Sequence, residues 1–399
     1  SANLKNFYNN GNSTTILGIE TSCDDTGCAI VNDNQLILAE SLYSQKAIHV
    51  RYGGINPVVA HELHRNNIEP AVCDVLKVSN LGFDNIDAIA VTIKPGLLIN
   101  LTVGVQYANY LAKKFKKSLI PIHHMEAHAL VARMYYNIPF PYLVLLISGG
   151  HCLLSVVKDV NQFILLGESL DNAPGEVMDK AARRMKLRNI PEFSKLAGGQ
   201  AIEIAATRAK NPDLFDFPHP LLRHRDCNFS FSGLKDSLIR KLLSKEEEHA
   251  ISGDGIIPEV NDLCAGFQLV IAEHLVHRTK RAVIYCENSN LIPSGTKNIV
   301  VSGGVACNNF IFKAIETLGS EIGYKVYRPP PHICTDNGVM IAWNGVEKYN
   351  KQCDIVTNID LKDVNPKAPL GTNLIREVKA ANIPVRVMRL QKLFTQHSS

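Results

Sequence analysis

Two histidines four residues apart, His124 and His128 in His123-His124-Met125-Glu126-Ala127-His128, follow directly on an apolar run. On a helix that spacing puts both imidazoles on one face, as a metal-binding pair requires. A polar helix start would show the same spacing, so the metal reading needs a third ligand. Cys334-Thr335-Asp336-Asn337-Gly338, rich in turn formers and just ahead of another helix, offers Asp336. Two His and one Asp form a site left open to substrate and suited to zinc or iron. The pattern differs from the HExxH of zinc proteases. Glu126 stands two residues after the first histidine, roughly 200° round a helix, and cannot easily face the same metal-bound water.

A second group of residues suits a nucleotide. Ser148-Gly149-Gly150-His151 and Ser302-Gly303-Gly304-Val305 each place a glycine pair after a strand-like run, where missing Cβ atoms let backbone N–H groups approach a phosphate or nucleoside. Either pair alone is an ordinary turn; together with the acidic tip Asp24-Asp25 they point to one ligand. GxxxxGK[ST] and GxGxxG are both missing, so neither a P-loop nor a Rossmann site is supported. Asp179, in a helix after Gly167–Glu176, suits ribose hydroxyls or a capping role. Arg183, Arg184, Lys186 and Arg188 beside it are candidates for RNA phosphates. Lys113-Lys114-Phe115-Lys116-Lys117 reads as a solvated helix end.

The elements that carry these groups alternate in type, which indicates α/β construction. Residues 14–20 and 26–31 read as a hairpin with the polar tip 21–25, and 142–147 and 152–157 repeat the design around 148–151. Two such hairpins imply duplicated lobes facing a common cleft. Helices are expected near 56–76, 99–114, 171–185 and 261–282, the last with Phe267, Ile271 and Leu275 on one face. Strands are expected at 86–92, 119–122 and 298–302, and a solvated loop over 244–255. The 399 residues exceed one typical core, and the resulting division is a leader over 1–13, lobes over 14–141 and 142–336, and a helix with a basic tail over 337–399 packing back on them.

Composition narrows the class further. With 46% hydrophobic and 20% charged residues the chain reads as an ordinary globular protein, and its apolar runs are too short to span a bilayer. A net charge of +4 neither demands nor excludes nucleic acid. Ten cysteines without a CxxC pair indicate a reducing compartment. The polar start has no signal-peptide core; presequence cleavage and trimming would both leave it.

Taken in order, GIETSCDDTG from Gly18, HHMEAH from His123, LISGGH from Leu146, GESLDNAPGEVMDKAA from Gly167, FSFSGLK from Phe229, SGGVACN from Ser302 and CTDNG from Cys334 resemble the tRNA N6-adenosine threonylcarbamoyltransferase family, once described as O-sialoglycoprotein endopeptidases. The resemblance spans about residues 15–370 and is nearer the bacterial and organellar branch. It implies the two-lobed α/β fold of actin, Hsp70 and sugar kinases (ASKHA). The implied reaction moves a threonylcarbamoyl group from threonylcarbamoyl-AMP to N6 of adenosine-37 in tRNAs reading codons that begin with A, releasing AMP.

Residue by residue, the resemblance implies one divalent metal, zinc or iron, on His124, His128 and Asp336. Nucleotide contacts, to the adenylate or to ATP or AMP in the same cleft, are implied for Ile147, Ser148, Gly149, Gly150, His151, Asp179, Gly199, Glu203 and Asn308. The family's PGGPxIE pattern is here Ala197-Gly198-Gly199-Gln200-Ala201-Ile202-Glu203, without either proline, and Lys94-Pro95-Gly96 stands where Gly-Pro-Gly is usual. Asp24 and Glu20 are the candidates for taking the amine proton. The implied partners are tRNA, a separate synthase supplying the adenylate, and a second copy of the chain, with no membrane; the implied location is the mitochondrial matrix, or the cytoplasm for a bacterial source. Three rivals are a kinase or ATPase of the same fold, a metalloprotease, and a noncatalytic RNA-binding subunit.

Overall fold

The computed structural model describes residues 13–49 and 54–395. Of the expected leader only Ser13 falls among them. Two compact units emerge: residues up to Asn137 with Asp336–Leu370, and Ile138–Thr335 with the segment from Gly371 onward.

In the first unit, strands β1 (Thr15–Glu20), β2 (Asp25–Asn32), β3 (Ile37–Ser44), β4 (Ala88–Lys94) and β5 (Ser118–His123) form a sheet ordered β3-β2-β1-β4-β5. β1–β2 and β2–β3 pair antiparallel, whereas β1–β4 and β4–β5 pair parallel. Every residue of β1 and β2 is buried, because both faces of the sheet are covered. Leu17, Ile19, Cys28 and Ile30 share a core with helices Pro57–Ser79 and Leu98–Phe115. The alternate residues Ile16 and Gly18 meet the helix Gly338–Asn350. Contact there is backbone to backbone: a Cβ on Gly18 would lie 2.4 Å from Ala342 N, and one on Gly338 2.4 Å from Cys28 C. These glycines bring the helix down onto the β1–β2 hairpin and so fix Asp336, two residues before its start.

The second unit builds the same topology again. Strands β6 (Tyr142–Ile147), β7 (Cys152–Asp159), β8 (Gln162–Glu168), β9 (Asn298–Ser302), β10 (Lys325–Tyr327) and β11 (Thr372–Asn373) are ordered β10-β9-β6-β7-β8-β11. Read from β8, the sequence β8-β7-β6-β9-β10 repeats β3-β2-β1-β4-β5 with the same parallel and antiparallel pairings. β11 adds a short parallel strand on β8. One lobe plan used twice is the two-lobed α/β architecture of actin, Hsp70 and sugar kinases.

Two local expectations change. Residues 244–255 are not all loop, because the helix Ser232–Glu248 runs through their first half, with Leu234, Leu238 and Leu242 buried at helical spacing. Its charged end holds together by pairing: Glu246 with Arg184 and Lys186, and Lys245 with Glu248. The apolar helix runs further than expected, Val260–Asn288, and is buried on nearly all sides as the centre of its core. The basic tail docks on it. Arg281 Nε donates to the Ile383 carbonyl at 3.0 Å, His277 Nε2 lies 3.1 Å from the Val385 carbonyl, and Glu273 accepts from Leu390 N at 2.9 Å.

Candidate metal and nucleotide sites

β5 ends at His123, and the helix His124–Leu130 starts at once. His123 is its cap: Nδ1 accepts from Met125 N at 3.2 Å while Nε2 faces the Pro369 carbonyl at 3.3 Å. Burial, aided by Lys94, lowers this imidazole to about 3, so it stays neutral and keeps the lone pair the cap needs.

His124 and His128 then stand one turn apart, ring centroids 4.7 Å from each other and planes at 86°. Their Nε2 atoms converge on Asp336 Oδ1, at 3.4 Å and 3.1 Å. Asp336 is aimed from the other side by Asn337, whose side chain caps the following helix by accepting from Met340 N at 2.9 Å. The three ligand atoms lie within 4.8 Å of one another, and both histidines are buried. Two imidazoles and a carboxylate so placed fit a divalent cation such as zinc or iron.

Glu20, at the end of β1, completes this arrangement from behind. Its Oε2 faces His124 Nδ1 at 3.0 Å and accepts from the Thr92 hydroxyl at 2.7 Å, while Oε1 accepts from Ser22 N. A carboxylate on Nδ1 keeps the proton there and leaves Nε2 free for a metal. Burial opposes charge on His124, but Asp336 and Glu20 outweigh it and push the imidazole up to about 10. Asp336 is correspondingly held well below the usual carboxylate range despite its burial, by His124 and His128. Burial keeps His128 below its ordinary value. Asp24 is half-buried; burial, then Asp25 and Asp336, raise its carboxyl. Glu126 turns away, its Oε2 lying 3.2 Å from Lys348 Nζ.

In the second unit the loop after β6 is a tight turn. Ser148 Oγ accepts from Gly150 N and His151 N at 3.3 Å and 3.0 Å, and Ser148 N donates to the His151 carbonyl at 2.9 Å. Gly149 and Gly150 are exposed, and a Cβ on either would meet nothing within 4 Å. Gly303 has a different constraint: its φ of +97° and a Cβ position 2.4 Å from the Ile147 carbonyl oxygen require glycine. Asp179 accepts from the backbone N–H groups of Gly198 and Gly199, which open the helix Gly198–Ala206. Glu203 on that helix accepts from Asn309 N at 2.8 Å. Asn308 caps the helix Asn309–Ile322 through Ile311 N and donates to Gln268 Oε1 at 2.8 Å.

The residues suggested for the nucleotide thus sit in one hydrogen-bonded frame, where Asp179, Glu203 and Asn308 each also hold a helix start. Arg184 and Lys186, suggested for RNA, are committed to Glu246 at 2.7–3.0 Å. The supporting groups Thr92, Gln268 and Lys348 carry no motif of their own, and Ser22 lies in the Gly18 motif without a role assigned to it; only the three-dimensional register reveals what they do.

A twice-built actin-like lobe with a buried His-His-Asp group that can take a metal defines the class of the protein: a two-lobed α/β enzyme with a candidate metal centre. The family model for TsaD, tRNA N6-adenosine threonylcarbamoyltransferase, matches residues 36–343. The chain is 46% identical over 375 residues to the mitochondrial tRNA N6-adenosine threonylcarbamoyltransferase of Xenopus tropicalis, covering 94% of this chain and 92% of that protein. It is 44% identical to the Homo sapiens mitochondrial protein, over 94% and 91% of the two chains. To the probable mitochondrial enzyme of Drosophila melanogaster it is 42% identical, over 98% and 99%. The chain belongs to the tRNA N6-adenosine threonylcarbamoyltransferase family, and its activity is the formation of N6-threonylcarbamoyladenosine in tRNA. No helix among the described residues is long and apolar enough to cross a membrane.

Proposed function

We propose that the chain transfers the threonylcarbamoyl group of threonylcarbamoyl-AMP to N6 of adenosine-37 in tRNAs reading codons that begin with A. The N6 amine attacks the carbamoyl carbon, the bond from that carbon to the phosphate oxygen breaks, AMP departs, and a base takes the amine proton. An amine conjugated to a purine is a poor nucleophile, so positioning and charge stabilisation carry most of the rate. A cation on His124, His128 and Asp336 would supply Lewis-acid charge to the substrate's oxygens.

The chain's own residues divide the remaining work. In the loop Ser148, Gly149, Gly150 and His151, the Gly149 N–H and the open space over both glycines would receive the adenylate, with Ile147, Asp179, Gly199, Glu203 and Asn308 framing its nucleoside; ATP or AMP would occupy the same groups. Asp24, with its raised carboxyl, is the base we favour, whereas Glu20 is committed to orienting His124. The mitochondrial names of the relatives support a place in the matrix. There the chain would work as a homodimer on adenylate from a separate synthase.

The observation that carries this reading is the convergence of both Nε2 atoms on Asp336 in a chain of this family. Purified protein mixed with threonylcarbamoyl-AMP and unmodified tRNA should yield the modified nucleoside by mass spectrometry. Phosphate release from ATP without tRNA dependence would favour a kinase or ATPase instead. Modification surviving His124→Ala with His128→Ala would remove the metal from the mechanism.

A further inference from the structure

In the second unit, with none of the candidate metal or nucleotide residues in its lining, the helix Ser232–Glu248 borders a surface cavity of about 310 Å³ lined by Phe215, Ser237, Arg240, Lys241, Ser244 and Lys245. The five helix residues recur at i, i+3, i+4, i+7 and i+8, so they form one face, and Leu234, Leu238 and Leu242 bury another. Three cations and two hydroxyls line the cavity and no carboxylate does. Of the acids elsewhere on the helix, Asp236 pairs with Lys235, Glu246 with Arg184 and Lys186, and Glu248 with Lys245, while Glu247 is exposed outside the lining.

The cations differ in what occupies them. Lys245 is held by Glu248 and Glu259 at 2.7 Å and 3.2 Å. Lys241 lies over the Phe217 ring, 5.2 Å from its centroid, which fixes its stem without neutralising its charge. Arg240 is exposed and has no hydrogen bond or ion pair among the described residues. An unneutralised guanidinium and ammonium on adjacent positions, flanked by Ser237 and Ser244 hydroxyls, match the tetrahedral oxygens of a phosphate group.

We propose that this face binds a backbone phosphodiester of the tRNA substrate, with Arg240 and Lys241 as the charged contacts. The inference rests on tRNA being the substrate. It gives a sequence-independent anchor for the body of the RNA, distinct from the groups that handle the adenylate and the target base. Each phosphate contact of this kind displaces about one counterion, so it contributes a loss of about 3.5-fold in affinity when salt rises from about 50 to 200 mM.

The test uses the full chain, an unmodified tRNA transcript and fluorescence anisotropy across that salt range, with Arg240→Ala, Lys241→Ala, the double variant and the charge-preserving Lys241→Arg. Each alanine should lower the slope of log affinity against log salt by about one and weaken several tRNA sequences equally, while Lys241→Arg stays near wild type. KM for tRNA should rise in the double variant, with KM for threonylcarbamoyl-AMP and kcat unchanged. The proposal is overturned if the double variant keeps wild-type tRNA affinity and slope. It is equally overturned if only stabilisation by inorganic phosphate is lost, which would make the cavity a free-anion site. Modified nucleoside still formed in either case leaves the enzymatic function standing while this inference fails.

Discussion

Glu20→Gln changes one oxygen to a nitrogen in a fully buried side chain, and its effect on metal affinity follows from three contacts. The wild-type carboxylate accepts from Ser22 N and the Thr92 hydroxyl and faces His124 Nδ1 at 3.0 Å. In the variant the amide oxygen keeps the Ser22 N–H, so the amide nitrogen must face Thr92 and His124. Thr92 can rotate its hydroxyl and accept. His124 Nδ1 can accept only in the neutral tautomer that keeps its proton on Nε2, the atom that points at Asp336 and would bind the metal. Restoring the binding tautomer sets two donors against each other in a buried site, a cost of about 1–3 kcal/mol. That corresponds to roughly 5–150-fold weaker binding, in line with the about 10–100-fold typical of lost outer partners. Zinc titrated into metal-free protein against a chromophoric chelator reads this directly, with one ion per chain for the wild type and no tight site for His128→Ala. A Glu20→Gln variant that binds zinc within threefold of wild type refutes the orienting role.

Four further outcomes are expected. Because His124 is held up to about 10 without metal, a bound cation must displace its proton at neutral pH; zinc affinity should rise about tenfold per pH unit between 6 and 8, with about one proton released per ion in calorimetry in two buffers. Glu126→Gln should leave tRNA modification nearly intact, since that carboxylate faces Lys348, whereas a large drop in modification rate would return Glu126 to the chemistry. Gly198→Ala should cost about 1–3 kcal/mol in urea unfolding, because its Cβ would lie 2.5 Å from Asp179 Oδ1 and 2.7 Å from Asp179 Cα, and an unchanged midpoint would contradict that packing. The hydrogen bonds of Arg184, with Lys186, hold the Glu246 carboxyl down at about 2, so its stabilisation is complete above the unfolded value of 4.5 and fades as pH falls toward 2; Glu246→Gln should be less stable than wild type at pH 6 and equal to it at pH 2.

The hairpins were legible because β1, β2, β6 and β7 are strongly apolar and interrupted only by polar turns, a signal that survives without tertiary information. The helix Ser232–Glu248 was half hidden, since its run of Lys and Glu near the C-terminus looks like a solvated loop until Arg184 and Lys186 supply the partners of Glu246. In the long helix Val260–Asn288 a related effect hid the burial rather than the element, whose expected span to 282 already included its arginines. Arg278 and Arg281 interrupt its apolar pattern, yet both are fully buried, because the carbonyls of Leu221, Asp226 and Ile383 satisfy them from distant segments. Local sequence cannot show a partner that arrives from over 50 residues away, so a buried arginine reads as a helix surface.

The same asymmetry runs through the site. Histidine spacing and one turn-borne aspartate are local signals, and they located the metal-competent group. What decides whether such a group can work, the tautomer of His124, is set by Glu20 from a strand 104 residues earlier, and that role is invisible to spacing. In the sequence Glu20 and Asp24 were equal candidates for the base. Their surroundings differ: both oxygens of the buried Glu20 are engaged, by Ser22, Thr92 and His124, whereas Asp24 is half-buried with a raised carboxyl. Asp24→Asn should therefore lower kcat with little change in zinc affinity, the reverse of Glu20→Gln, and measuring both quantities in both variants distinguishes a proton acceptor from a residue that aims a ligand.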